Sequence, residues 1–107
     1  MRAGVVVKFQ FEGIHCWPAC PFEDVAFLKE PHRHIFHVTA SKAVSHEHDR
    51  EVEIIRLKRL MQTDNLVTSV KLGSMSCEKL ALYFLEKFKL ESCYVLEDGE
   101  NGAYVAL

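Results

Sequence analysis

The sequence predicts an α+β fold: an antiparallel four-stranded sheet with two helices on one face, in the order β-β-α-α-β-β. Three observations predict it. Residues 5–12 and 32–42 alternate apolar and polar side chains with the period of a half-buried strand. Residues 76–89 carry apolar side chains at three- and four-residue intervals, the period of an amphipathic helix. Near the end, CYVL and AYVAL flank EDGENG, whose Asp98-Gly99 and Asn101-Gly102 pairs are hairpin-turn signals. Two hairpins separated by helices form one antiparallel sheet, leaving a second face that is wet or covered by another copy of the chain.

Taken in order, Val5, Val7, Phe9 and Phe11 alternate with Val6, Lys8, Gln10 and Glu12, and Gly13 is expected to interrupt this first strand. Pro18, Pro21 and Pro31, with acidic residues between them, make residues 16–31 a loop with one helical turn around Phe22 to Leu28. Loops this long inside a small domain are uncommon and often functional. The second strand, HRHIFHVTASK, puts His32, His34, Phe36 and Val38 on one face and Arg33, Ile35, His37 and Thr39 on the other. Residues 52–61 read as a short helix with Val52, Ile55, Leu57, Leu60 and Met61 on its apolar side. The second helix is the clearest element: Ser76 caps it, Glu78 lies in its first turn, and Lys87 and Lys89 lie in its last.

Composition narrows the function classes. With 107 residues and 49% hydrophobic content, the chain suits a single domain over residues 1–107 with one modest core, to which a metal or an oligomer would add stability. Thirteen basic and fifteen acidic side chains, dispersed to a net charge of −2, offer no stripe that neutralises phosphates, which argues against nucleic acid as a partner. The opening MRAGVVVKFQFEG turns polar too soon for a signal peptide or a spanning helix, so a soluble cytoplasmic protein with no membrane partner is expected. Cys16, Cys20, Cys77 and Cys93 match no disulfide framework and read as reduced thiols. Cys16 and Cys20 stand beside His15, but no second cysteine pair follows to close a cysteine-rich zinc site.

His32 and His34, two apart on one strand, project their imidazoles from one face, and His15 ends the neighbouring strand. Three neutral imidazoles with an open fourth position suit catalytic or ligand-binding zinc; the alternative is a group of surface histidines. His37 faces the other way. His46 and His48 fall in the charged turn SHEHDRE, which reads as a solvated connection or, alternatively, as the source of a proton-transfer group.

These residues resemble a family. FQFEGIH is similar to the opening strand F-x-F-x-A-x-H of the 6-pyruvoyl-tetrahydropterin and 6-carboxytetrahydropterin synthases, and HRHIFHV to their H-G-H followed by an aromatic. REVEIIRLK, SCEKLALYFLEKF and YVLEDGENGA resemble, in the same order, the segment ending in L-K, the P-T-x-E-N-L-A helix and the last hairpin with its V-x-E-T. The resemblance implies a tunnelling fold whose subunits join sheets into rings, commonly a hexamer, so a homo-oligomer. It implies zinc on His15, His32 and His34, and a pterin or purine-like small molecule anchored by Glu97, with Ser76 and Cys77 nearby. A carboxylate suits that anchor because it accepts two parallel hydrogen bonds from a ring N–H and an exocyclic amino group. In the implied mechanism zinc binds the side-chain hydroxyls of dihydroneopterin triphosphate, and a cysteine thiolate and an Asp-His pair move the protons.

The sequence departs from the family where protons are moved. Leu28 stands four residues before His32, where the family has its cysteine, and the D-H-x-x-L-N stretch is replaced by Asp64-Asn65. Arg33 replaces the glycine of H-G-H, and Ser76-Cys77 replaces Thr-Ser. Cys16 or Cys20 from the loop, and His48 or His46 from the charged turn, are the candidates to supply the missing groups. Three readings therefore stand side by side: a lyase of the pterin synthase type with a rearranged acid-base set, a non-catalytic protein that sequesters or senses a pterin, guanine-like base or nucleotide, and a structural subunit whose histidines are only surface residues.

Overall fold

Residues Ala3–His15 (β1) and His32–Val44 (β2) pair antiparallel over their full length, from Ala3 opposite Val44 to His15 opposite His32. The computed structural model describes residues 1–45 and 49–107. His46 and His48, considered above as proton-transfer groups, lie outside the described residues. Between β1 and β2 runs the loop, whose expected turn is a 3-10 segment, Glu23–Lys29, kinked at Val25. The chain continues through α1 (Ile54–Gln62), α2 (Asn65–Ser69), β3 (Lys71–Gly73), α3 (Cys77–Lys87), β4 (Ser92–Glu97) and β5 (Asn101–Ala106).

The α+β class holds, but the four-stranded antiparallel sheet with two helices does not. The sheet is mixed and five-stranded, in the order β3-β1-β2-β4-β5, with β3 parallel to β1. Three residues are too few to show a period in sequence. The chain enters β3 through Val70, whose φ of 66° turns it sharply out of α2, and the Val70 carbonyl accepts the Ile14 N–H at 2.8 Å. A third α-helix, α2, was also missed; its five residues begin at an Asp64 cap whose side chain accepts the Leu66 N–H. Asn101-Gly102 belongs to β5, and the turn is made by Asp98 and Gly99, both at positive φ (55° and 75°), with the Glu100 N–H donating to the Glu97 carbonyl.

Gly13 does not interrupt β1, which runs on to His15. A Cβ at this position would lie 2.4 Å from Leu72 Cδ1 and 2.8 Å from the Phe36 ring, so the missing side chain is what lets β3 and Phe36 approach. In α1 only Leu57 and Met61 are buried; Ile55 and Leu60, expected on the apolar side, are mostly exposed. α3 packs as expected, burying Cys77, Leu80, Ala81, Phe84 and Leu85.

The helices cover one face of the sheet. Val7, Phe9 and Phe11 of β1, Phe36, Val38 and Ala40 of β2, and Cys93 and Val95 of β4 share one alternation parity and join Leu57, Met61, Leu80 and Phe84 in one hydrophobic cluster. Phe11 stacks on Phe36 with ring centroids 5.5 Å apart, and Phe84 meets Phe9 and Phe11 edge-on at 6.1 Å. Followed along this face beyond Phe11 and Phe36, the next pairs are Gly13 with His34 and then His15 with His32. The histidines thus extend the core face past the last aromatic row. No helix among the described residues is long and apolar enough to cross a membrane.

Candidate metal centre

Strand pairing alone brings the three histidines together. His15 and His32 are cross-strand partners and His34 is one step inward, giving ring centroids 4.5 Å apart for His15 and His32, 5.3 Å for His15 and His34, and 5.0 Å for His32 and His34. Phe36 supports the group from below, edge-on to His15 at 5.2 Å and to His34 at 5.7 Å. One ring nitrogen from each histidine lies within 4.8 Å of the others, so the triad can hold a metal ion.

The outer nitrogens are all engaged. His15 Nδ1 is 2.8 Å from the Met75 carbonyl, His32 Nδ1 is 2.8 Å from the Glu30 carbonyl, and His34 Nδ1 is 2.7 Å from Asp98 Oδ2. A carbonyl or carboxylate oxygen accepts, so each Nδ1 carries a proton, which in the neutral ring leaves the lone pair on Nε2. Nε2 of His15 and of His34 is buried with no hydrogen-bond partner. Orienting acceptors on one ring nitrogen and a free lone pair on the other are what a metal-binding imidazole needs. Sequence reading missed this outer layer. Asp98 registers there only as a turn residue, and the two carbonyls belong to loop positions that no side-chain pattern marks.

Glu97 enters from β4. Its partner across the ladder is Phe36, so its side chain falls on the histidine face, with Oε2 3.1 Å from His15 Nε2 and 3.7 Å from His34 Nε2. Asp98 receives the Ile35 backbone N–H at 2.9 Å as well as the His34 ring, and these bonds hold its carboxyl below the ordinary aspartate range.

Beside the triad opens a cavity of about 560 Å³, within the range of small-molecule sites. Glu97, Ser76 and Cys77 all line it, as do His15 and His32. Ser76 is committed as the cap of α3, accepting the Lys79 N–H at 3.1 Å. The Cys77 thiol is pushed up to about 12, by burial first and then by the charge and hydrogen bond of Glu97, so it stays protonated. Of the two loop thiols, Cys16 lines the cavity. Cys20 is buried, its thiol donating to the Phe22 and Val25 carbonyls at 3.7 and 3.8 Å, where it ties down the 3-10 segment.

Two of the positions where the sequence departs from the pterin-synthase pattern, both at proton-transfer groups, have clear surroundings. Leu28 lines the cavity. Asp64 is buried under α3, receiving the Tyr83 hydroxyl at 2.6 Å and the Lys87 ammonium, away from the histidines. Burial would raise its carboxyl, but the bonds from Lys87, Tyr83 and the Leu66 N–H outweigh burial and hold it below the ordinary range. Compared with protein-family models and with curated proteins, the sequence matches none.

Proposed function

We propose that this chain is a zinc-dependent protein of the 6-pyruvoyl-tetrahydropterin and 6-carboxytetrahydropterin synthase type, binding a pterin or purine-like compound in the cavity beside His15, His32 and His34. The observation that carries it is the set of three imidazoles whose Nδ1 atoms are taken by acceptors and whose remaining nitrogens converge beside a cavity of ligand size. An all-imidazole set favours zinc over the hard, oxygen-seeking cations. Zinc held there would polarise hydroxyls of a bound molecule and make their neighbouring protons more acidic. Glu97 is the group to accept the ring N–H and exocyclic amino protons, with the α3 start at Ser76 and Cys77 forming the adjoining wall. Edge strands β3 and β5 are the places where further subunits of a homo-oligomeric ring would add.

The second reading, binding without turnover, is favoured by two specific observations. Leu28 can transfer no proton into the cavity it lines, and Asp64 is engaged by Lys87 and Tyr83. Each missing acid or base typically removes ~10²- to 10⁴-fold in rate. Both properties are measured on one zinc-loaded sample, with binding of neopterin by calorimetry and turnover of dihydroneopterin triphosphate by product analysis. Binding with slow or absent turnover is the expected outcome. Rapid turnover lost in Cys16→Ala would make Cys16 the base and the protein an enzyme, and turnover lost only in Cys20→Ala would require the loop to rearrange. Absence of both binding and turnover would overturn the pterin reading.

A further inference from the structure

We infer that Glu97 is a fourth ligand of the metal, through Oε2, and that it closes the coordination sphere when no organic ligand is bound. This rests on the metal reading of the three histidines. Two donors on one tetrahedral ion at about 2.0–2.1 Å are separated by about 3.3–3.4 Å. The observed separations from Glu97 Oε2, 3.1 Å to His15 Nε2 and 3.7 Å to His34 Nε2, bracket that value.

An ordinary ion pair accounts for the arrangement less well. With Nδ1–H of His15 given to the Met75 carbonyl, a bond from Nε2 to Glu97 needs a doubly protonated ring. Nε2 of His15 and of His34 has no hydrogen-bond partner, although the Glu97 carboxylate oxygen lies 3.1 Å from the first and, too far for a hydrogen bond, 3.7 Å from the second. In neutral rings these buried lone pairs and the carboxylate oxygen repel one another unless a cation sits among them. Neither side can easily withdraw. His15 is held by β1 and its carbonyl bond, and Glu97 is held by its ladder position opposite Phe36 and by the turn that follows.

The inference gives Glu97 two competing tasks. With Oε2 on the metal, only Oε1 is free for a ring donor, whereas a pterin or guanine edge presents two. A molecule that binds through both donors must draw Glu97 off the metal, which opens a coordination position beside it. Ring recognition and metal opening are thereby one event at one carboxylate.

The test uses the full chain stripped with a chelator and titrated with Co²⁺ alone, reading affinity and the visible spectrum. Wild type is expected to show the intense bands of four-coordinate cobalt. Glu97→Gln, nearly isosteric, is expected to lose at least about 100-fold in affinity, beyond the 10- to 100-fold typical of outer-layer residues, with bands weakened as water enters the sphere. Asp98→Asn, which touches His34 Nδ1 and the Ile35 N–H but neither of the inward-facing Nε2 atoms, should lower affinity while leaving the band shape intact. Wild-type affinity and spectrum in a Glu97→Gln protein that is folded by circular dichroism would overturn the inference and leave the three-histidine site standing. Weak six-coordinate bands in wild type would overturn it whatever the variant does. Cobalt binding that is absent, or indifferent to His34→Ala, would instead overturn the metal reading and this inference with it.

Discussion

His15 and Glu97 face each other at 3.1 Å between Nε2 and Oε2, although they stand on β1 and β4, strands separated in the sheet by β2. The contact spans β2 because His15 is at the far end of β1 while Glu97, opposite Phe36, ends β4 two residues along β2 from His34. The histidine triad and the hairpin turn are therefore linked: His15 and His34 both face Glu97 at the end of β4, and the His34 ring reaches Asp98 in the turn that follows.

Protein purified without chelators is expected to carry about one zinc per chain, and His34→Ala is expected to lose it. Two imidazoles bind far more weakly than three, and metal binding is coupled to pH because the rings must be neutral. Elemental analysis of both proteins checks this; a zinc-free wild type contradicts it.

Removing the acceptor behind His34 tests the outer layer. In Asp98→Ala the ring loses the carboxylate that orients it and the Ile35 N–H loses its partner, so zinc affinity should fall by about 10- to 100-fold. Competition with a fluorescent zinc chelator measures it, and unchanged affinity would mean that strand geometry alone orients the ring.

Gly13→Ala should destabilise the fold by about 1–3 kcal/mol through overpacking. The new methyl meets Leu72 Cδ1 and the Phe36 ring, both buried, and Phe36 in turn supports His15 and His34. Denaturant unfolding gives the stability change, and zinc affinity should drop in parallel. A neutral result would show that Leu72 and β3 yield without consequence.

Asp64 carries an acid-side contribution to stability. Its folded-state carboxyl titrates below the value of about 3.8 that it has when unfolded, so its stabilisation is fully present above that pH and is lost as the pH falls through the folded value. Asp64→Asn should cost about 1–3 kcal/mol at pH 7, where it weakens the bonds to Lys87 and Tyr83. It should also make stability less dependent on pH below about 4. Equal destabilisation at pH 7 and pH 3 would contradict the assignment.

How much could be read beforehand follows from which features repeat along the chain. The long strands, α3 and the last hairpin were legible because alternation, helical spacing, a Ser76 cap and Asp98-Gly99 are local signals. β3 and α2 were not, since three and five residues are shorter than any period that could announce them. Gly13 was misread for a related reason: its cause is Leu72, fifty-nine positions away in sequence, which fills the space where a side chain would be.

For the site, the sequence by itself determined that His32 and His34 share a face, because the side-chain period of a strand is two and needs no tertiary information. It also determined that His15 ends the first strand. Only the tertiary structure decided that His15 stands opposite His32, that Glu97 crosses to both His15 and His34, and that Asp98, Glu30 and Met75 turn the rings inward. The physical reason is register: which residues meet across a ladder depends on where each strand begins and on the turns that join them. It was folding, too, that put Asp64 beneath α3 and Cys20 against the 3-10 segment while leaving Cys16 on the cavity, a sorting that spacing along the chain does not encode.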